Sequence, residues 1–314
     1  MITAVIPFST TESFAVNCRL FSGLPGIERI LVVHSGAFRP SDAMLSGIEA
    51  GSYLSGPAWN RIIEEARTDY ILAVLDCSRI DFPPASLVRL VETAEFTGAG
   101  LVFSDYHEIV KGRRKERPLI DYREGSIRDG FDLGKMVLIR TEAAKSSLAR
   151  HGAIPDGRHC GFYDLRLKIA ADRLPYHAEE ALYTAAGNGG MTDRETHFSY
   201  VDPSNREVQE EMERAATEHL RRIGAWLEPS FQPVPADDSA YPVEASVIIP
   251  VRNRARTIAE AVKSALGQKT EFPFNVIVVD NYSSDGTTAI LDGLVKKNRR
   301  LVHLIPGRSE EHTS

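Results

Sequence analysis

The sequence predicts an α/β protein with a doubly wound, mostly parallel sheet, followed by a partial second α/β unit. Segments typical of strands and of helices alternate along the chain, which is the order found in parallel sheets. Residues 70–75 are continuously apolar, as expected of a parallel strand covered on both faces. Two strand motifs near the N-terminus recur near the C-terminus at nearly the same separation, which indicates two copies of one domain.

The elements of the first copy, residues 1–228, follow from apolar periodicity and from the residues that interrupt it. Ile2–Pro7 is a β-branched strand that ends at a proline, and Pro83-Pro84 opens a helix. The basic run 111–117 predicts a solvated hairpin or loop, or a site for an anionic group. The other predicted elements are helices over 12–21, 59–66, 162–171 and 206–226 and strands over 30–33, 101–103 and 136–140.

The second copy is expected over residues 244–307, after a proline-rich linker at 229–243. Its predicted elements alternate as strand, helix, strand, helix and strand. About 60 residues bury too little surface for a full domain of this kind, so we expect a fragment. Residues 308–314 resemble the translation of a sequencing-library adapter, which predicts an artefactual tail; a polar, frayed C-terminus is the alternative.

Composition excludes several classes of protein. The net charge is −6, so the chain lacks the broad basic surface that nucleic-acid binding needs. No run of residues is long and apolar enough to predict a transmembrane helix. Three widely spaced cysteines predict a reducing compartment, hence a cytoplasmic protein, and they lack the spacing of a zinc site.

Polar residues follow several of the predicted strands, where ligands bind in open α/β sheets. Asp76-Cys77-Ser78 follows the strand at 70–75, Ser104-Asp105-Tyr106 follows the next, and residues 280–287 follow a strand of the second copy. A carboxylate at such a position can hold a divalent cation, which in turn neutralises a diphosphate. Helix capping is the simpler alternative for these polar turns.

Together the second-copy motifs resemble a known family. Residues 245–254 (Ala-Ser-Val-Ile-Ile-Pro-Val-Arg-Asn-Arg) and 276–287 resemble the N-terminal part of family 2 glycosyltransferases. The resemblance implies a GT-A fold, a nucleotide-diphosphate sugar as donor and an inverting transfer. It also implies that four residues line the base and ribose of the donor: Pro250, Asn253, Asp280 and Asn281. Pro7 is the counterpart of Pro250 in the first copy.

The first copy is similar to the same family but more diverged. Residues 54–63, 70–78 and 161–167 are similar to its Gly-x-x-x-Ala-Arg-Asn helix, its Asp-x-Asp metal strand and the segment of its catalytic base. The resemblance implies that Asp76 binds Mn²⁺ or Mg²⁺ and that Asp164 deprotonates a glycan or other hydroxyl acceptor, with help from Arg166 or the basic run. Polysaccharide biosynthesis is the associated process.

The departures from the family pattern leave alternatives open. Ser78 stands where the second metal carboxylate is usual, and His34-Ser35 stands where an acidic pair is usual. These departures favour a non-catalytic GT-A-like binding module that supports the second domain. Asp164 in the first turn of a helix would also serve as a cap. A nucleotidyltransferase is disfavoured, because the first strand is not followed by a Gly-rich loop with a basic residue.

Overall fold

The computed structural model describes residues 1–36, 38–186, 206–232 and 241–307. The chain divides into two compact units, Met1–Pro229 and Ser230–Ser314. Most of the predicted linker, over 233–240, and the predicted tail at 308–314 lie outside the described residues. Among the helices of the described ranges, none combines the length and the apolar character needed to cross a bilayer.

The first unit contains one mixed sheet flanked by helices, which confirms the α/β class. Its strands are β1 (Ile2–Pro7), β2 (Ile27–His34), β3 (Leu45–Glu49), β4 (Tyr70–Val74), β5 (Arg79–Asp81), β6 (Leu101–Val110), β7 (Arg113–Arg117), β8 (Met136–Arg140) and β9 (Tyr176–Ala186). Its helices are α1 (Glu12–Ser22), α2 (Gly56–Glu65), α3 (Pro84–Thr97), α4 (Thr141–His151), α5 (Gly161–Asp172) and α6 (Arg206–Arg222).

The sheet order within the described residues is β3-β2-β1-β4-β8-β6-β9-β5. The first four strands are mutually parallel, and β6 is parallel to β9. Strand β8 runs antiparallel to both of its neighbours, β4 and β6. The basic run forms the hairpin strand β7 beside β6, with four of its five residues fully exposed.

Apolar side chains from the two sheet faces build two cores. On one face, α1 and α3 contribute Phe21 and Leu90 against strand residues such as Val32. On the other face, α2 and α5 contribute Trp59 and Leu165. All five residues of β4 are buried, because both faces of this central strand are covered.

The second unit has a parallel three-stranded sheet with two helices. Its elements are β10 (Ala245–Val251), α7 (Ile258–Leu266), β11 (Phe274–Asp280), α8 (Thr287–Val295) and β12 (Leu301–Leu304). Val262 and Leu291 from the helices pack on Val276 and Val278 of the central strand. The alternation of strand and helix expected for residues 244–307 is therefore what the structure shows.

Helix α6 packs on the segment that leads into α5 through one carboxylate. Glu211 is buried, and it accepts hydrogen bonds from the backbone N–H groups of Arg158, His159 and Cys160 at 2.9, 2.8 and 3.2 Å. Burial works to raise the pKa of Glu211, but these three donors outweigh it and hold the pKa below its usual range. The ionised carboxylate therefore fixes the start of α5.

We predict that Glu211→Ala lowers the free energy of unfolding by about 2–3 kcal/mol, because it leaves backbone donors without a charged acceptor. A carboxyl whose folded pKa is depressed contributes stability above its unfolded pKa and loses it as pH falls through the folded value. Denaturant titration of parent and variant from neutral to acidic pH should show the difference shrinking at low pH. Glu213→Ala, at an exposed position of the same helix, is the control; equal stability losses would contradict the assignment.

Candidate functional site

The carboxyl ends of β1, β2 and β4 lie together at one edge of the first sheet, because the three strands are parallel neighbours. Pro7 ends β1 opposite Val33, and His34 ends β2. Asp76 follows β4 by two residues. Pro7 and Asp76, each assigned from sequence to the end of a strand, thus lie along one sheet edge, because β1 and β4 are neighbours.

Both carboxylate oxygens of Asp76 have partners. Its Oδ1 accepts a hydrogen bond from the backbone N–H of Ser78 at 2.8 Å. Its Oδ2 lies 3.0 Å from the ammonium of Lys135. The two side chains are 39% and 32% exposed, so this ion pair faces solvent.

Lys135 reaches Asp76 because β8 is antiparallel to β4. The first residue of β8, Met136, lies opposite Val74, and the N–H of Leu75 donates to the carbonyl of Lys135 at 2.8 Å. The residue before Lys135 is Gly134, with φ of +78°. A β-carbon at Gly134 would lie 2.4 Å from the Tyr183 hydroxyl, so both the backbone angle and the space require glycine.

The charge of Lys135 is stabilised in place. Burial works to lower the pKa of its ammonium, but the Asp76 carboxylate outweighs this and raises the pKa. The N–H of Lys135 also donates to the Tyr183 hydroxyl at 2.6 Å, which fixes its backbone.

The residues around Asp76 do not fit a divalent cation. Ca²⁺, Mg²⁺ and Mn²⁺ prefer several oxygen ligands, and carboxylates are the strongest of these. Here Asp76 provides a single carboxylate that already binds an ammonium, and Ser78 replaces the second acid. The expectation that Asp76 binds Mn²⁺ or Mg²⁺ is therefore not supported by this donor set.

A different set of possible ligand atoms converges elsewhere in the described ranges. Atoms of His159, Glu207 and Glu211 lie within 4.8 Å of one another. Glu211 already accepts three backbone hydrogen bonds, and Glu207 is exposed. This cluster is explained by the packing of α6.

Aromatic rings lie near the ends of β1 and β2, where His34-Ser35 replaces the acidic pair that is usual in the family. Phe8 lies 5.1 Å from Phe14 and 5.7 Å from Phe38, as ring-centroid distances in edge-to-face geometry. His34 lies 5.4 Å from Phe38 and its Nδ1 contacts the carbonyl of Gly36. This part of the edge presents aromatic surface in place of carboxylates.

Asp164 lies in the core. It is fully buried, its Oδ2 forms an ion pair with Lys168 one turn further along α5, and its Oδ1 has no hydrogen-bond partner. Asp164 does lie in the first turn of α5, as the helix-cap alternative expects, but the partner of its carboxylate is Lys168 and not a backbone N–H. A general base must reach the acceptor hydroxyl, so this placement does not support the predicted catalytic role.

Arg166 is likewise committed to packing. It is buried, its guanidinium lies 4.9 Å from the Tyr163 ring centroid, and it donates to the carbonyl of Arg128 at 2.7 Å. The suggested assistance from Arg166 therefore does not fit its position. In the basic run, Arg117 forms an ion pair with Glu108 across the β6–β7 hairpin.

Asp105 is not at a strand end, because β6 continues to Val110. It borders a cavity of about 630 Å³. His177, a residue that the sequence did not single out as functional, lies between the carboxylates of Asp105 at 2.9 Å and Asp121 at 3.1 Å. Its ring stacks on Phe103 at 4.9 Å, so two carboxylates and one aromatic ring hold the imidazole at the cavity wall.

In the second unit, two loops meet at the carboxyl ends of β10 and β11. The side-chain oxygen of Asn253 accepts from the N–H of Ser284 at 2.8 Å, and Asn253 itself has a φ of +52°. Asp280 accepts from the N–H of Ser283 at 3.0 Å and from the Thr288 hydroxyl at 2.5 Å. Burial works to raise the pKa of Asp280, but these donors outweigh it and lower the pKa.

The other two predicted residues of this site lie beside the loops. Asn281 donates its backbone N–H to the carbonyl of Val251 at 2.8 Å, which links the ends of the two strands. Pro250 is exposed on β10. The structure therefore brings Pro250, Asn253, Asp280 and Asn281 to one edge of the sheet.

Comparison with known proteins supports the resemblance in the second unit. The model of Glycosyl transferase family 2 matches residues 246–310. A Sinorhizobium fredii protein, described as uncharacterized protein y4gI, is 28% identical over 270 residues, which are 82% of this chain. The chain spans only 28% of the length of that relative.

Solved structures give weaker matches. S. aureus TarS in complex with UDP-GlcNAc is 14% identical, with a TM-score of 0.43 over 70% of this chain and 72% of TarS. TarS in complex with UDP is 14% identical, with a TM-score of 0.44 over 71% of this chain and 81% of TarS. A mycobacterial protein is 14% identical, with a TM-score of 0.43 over 71% of this chain and 75% of that protein. That the first unit is a second copy of the family domain stays a prediction.

We predict that Asp164→Asn lowers the free energy of unfolding by about 3–5 kcal/mol, because it leaves the buried Lys168 ammonium unpaired. The double variant Asp164→Leu, Lys168→Met should recover most of this loss, because it removes both charges. Chemical denaturation measures the free energy of unfolding of the single and the double variant. Asp156→Asn, at an exposed position, is the control. If Asp164→Asn keeps the parent stability and loses turnover, the general-base role is correct instead.

Proposed function

We propose that this protein binds a nucleotide-diphosphate sugar and transfers the sugar to a hydroxyl acceptor. The observation that carries the proposal is the pair of hydrogen-bonded loops at the carboxyl ends of β10 and β11, within the segment that matches the glycosyltransferase family. Ligand binding at this edge is the general rule for open parallel sheets.

Within this site the residues have different tasks. Asp280 is fully buried and ionised, so it organises the 280–287 loop through Ser283 and Thr288. Asn253 is exposed, and its strained backbone angle directs its side chain across to that loop. Asn253, Pro250 and Asn281 form the proposed contact surface for base and ribose, and Asp280 supports that surface through the loop it organises.

The transfer itself is proposed as a single displacement with inversion. The acceptor oxygen bonds to the anomeric carbon while the carbon–oxygen bond to the diphosphate breaks and its electron pair leaves with the diphosphate. A base takes the acceptor proton. We do not assign Asp164 to that step, because its carboxylate is buried against Lys168. A glycan or another hydroxyl compound is the proposed acceptor class.

A second candidate function is a binding module without catalysis in the first unit. Ser78 in place of a carboxylate, the paired Asp76 and the buried Asp164 favour it. Such a module would hold a donor or an acceptor for the second domain.

One experiment separates the two functions. The full chain is titrated with UDP-, GDP- and dTDP-sugars by calorimetry, and release of free nucleotide is followed in parallel. Binding with nucleotide release supports a transferase, and binding without release supports a module. If none of these nucleotide sugars binds, the transferase is wrong, and a module that holds the donor is wrong with it.

We predict that Asp280→Asn weakens nucleotide binding by at least about tenfold, which is about 1.4 kcal/mol. The amide replaces an ionised acceptor, so the 280–287 loop loses charge-assisted hydrogen bonds. Calorimetric titration with the best donor measures the change, and thermal melting checks the fold. Glu260→Gln, at an exposed position of α7, is the matched control. Equal affinity of the Asp280→Asn variant and the parent would remove Asp280 from the site.

A further inference from the structure

The ammonium of Lys135 lies 3.0 Å from the carboxylate of Asp76, which follows the end of β4. We propose that Lys135, held by Asp76, binds the diphosphate of a nucleotide-diphosphate donor, so that the first unit has a nucleotide-diphosphate site of its own that needs no divalent cation. This inference rests on the proposed function and deepens it.

The chemistry of the pair suits this task. An ammonium has three N–H donors, and the contact with Asp76 uses one of them. Lys135 can therefore donate to phosphoryl oxygens while it remains held. Such charge-assisted hydrogen bonds are about twice as strong as neutral ones. The side chain is partly exposed, so an incoming diphosphate can reach it without a rearrangement of the core.

Ser78, in place of a second carboxylate, is consistent with Lys135 acting as the cation. Lys135 neutralises the charge of Asp76, and the carboxylate of Asp132 also acts on its ammonium. A second carboxylate at position 78 would add a further negative charge, which would repel a diphosphate unless a divalent cation were present. Ser78 is buried and uncharged, and its carbonyl accepts a hydrogen bond from Asn17 at 2.9 Å. The Asp-x-Ser sequence is thus suited to a monovalent cation.

The lysine is also fixed by its backbone. The turn before β8 has a left-handed glycine, Gly134, whose N–H donates to the Asp132 carboxylate at 2.8 Å. The Tyr183 hydroxyl accepts from Lys135 N–H, and the Tyr183 ring stacks on Tyr106 at 5.2 Å. Three strands, β6, β8 and β9, therefore fix the backbone of Lys135, and Asp76 positions its ammonium at the end of a fourth. An ordered cation of this kind is what preorganised anion binding needs.

The test is calorimetric titration of the full chain with UDP, GDP and dTDP, in EDTA and then with Mn²⁺. The Asp280→Asn background weakens the contribution of the second unit by the predicted tenfold or more, so that binding by the first unit is measured against a reduced background. We expect one of the three nucleotides to bind in EDTA with an affinity within about threefold of that in Mn²⁺. This comparison requires no substitution in the first unit. Thermal melting accompanies every variant.

Lys135→Met should weaken binding in EDTA by at least about tenfold, because the charge-assisted bonds are lost. Lys135→Arg, which keeps the charge, should retain most of the affinity. Lys145→Met removes the same charge from an exposed position of α4, beside Ala66 before the start of β4, and should leave binding unchanged.

Two outcomes overturn the inference and are distinguishable. If nucleotide binds only with Mn²⁺, or if Lys135→Met binds as well as the parent, the lysine is not the cation, and the proposed function stands. If no nucleotide diphosphate binds the unsubstituted chain in either condition, the proposed function fails and the inference fails with it.

Discussion

The antiparallel pairing of β8 with β4 determines the chemistry available at the first unit's sheet edge. Four parallel strands bring their carboxyl ends together, but the side chains that they contribute there are mostly aromatic or uncharged. Because β8 runs in the opposite direction, its first residues lie beside the last residues of β4. That geometry places a lysine against Asp76, and it converts a potential metal ligand into half of an ion pair.

Much of the architecture could be predicted from local patterns, whereas the direction and length of strands could not. The apolar run at 70–75 and the proline-ended first strand predicted their positions correctly. Lys135 gave no signal, because its proximity to Asp76 depends on a pairing between segments about sixty residues apart in sequence. Asp105 was misplaced because β6 extends past it. For Asp164 a signal existed: Lys168 follows at i+4, the spacing of a helical ion pair.

The two units present contrasting edges on similar β-α-β frameworks. In the second unit, the strand-end residue Asp280 is ionised and bonded to its own loop, and Asn253 joins the neighbouring loop to it. In the first unit, the corresponding strand ends in His34 beside Phe38. One edge is therefore polar and closed by hydrogen bonds, and the other combines aromatic surface with a single exposed ion pair. A similar β-α-β framework therefore carries different side chains at its strand ends in the two units.

The basic hairpin has a consequence for the protein's behaviour at high concentration. Strand β7, with the sequence Arg-Arg-Lys-Glu-Arg, pairs with β6 on one side, and its side chains are mostly exposed. An open strand edge is a template on which another chain can add a strand and begin to aggregate. A second copy adding here would place positive charges opposite one another, which is unfavourable. Within the described residues β7 pairs only with β6, so this basic run would also disfavour edge-to-edge pairing between two copies of the protein.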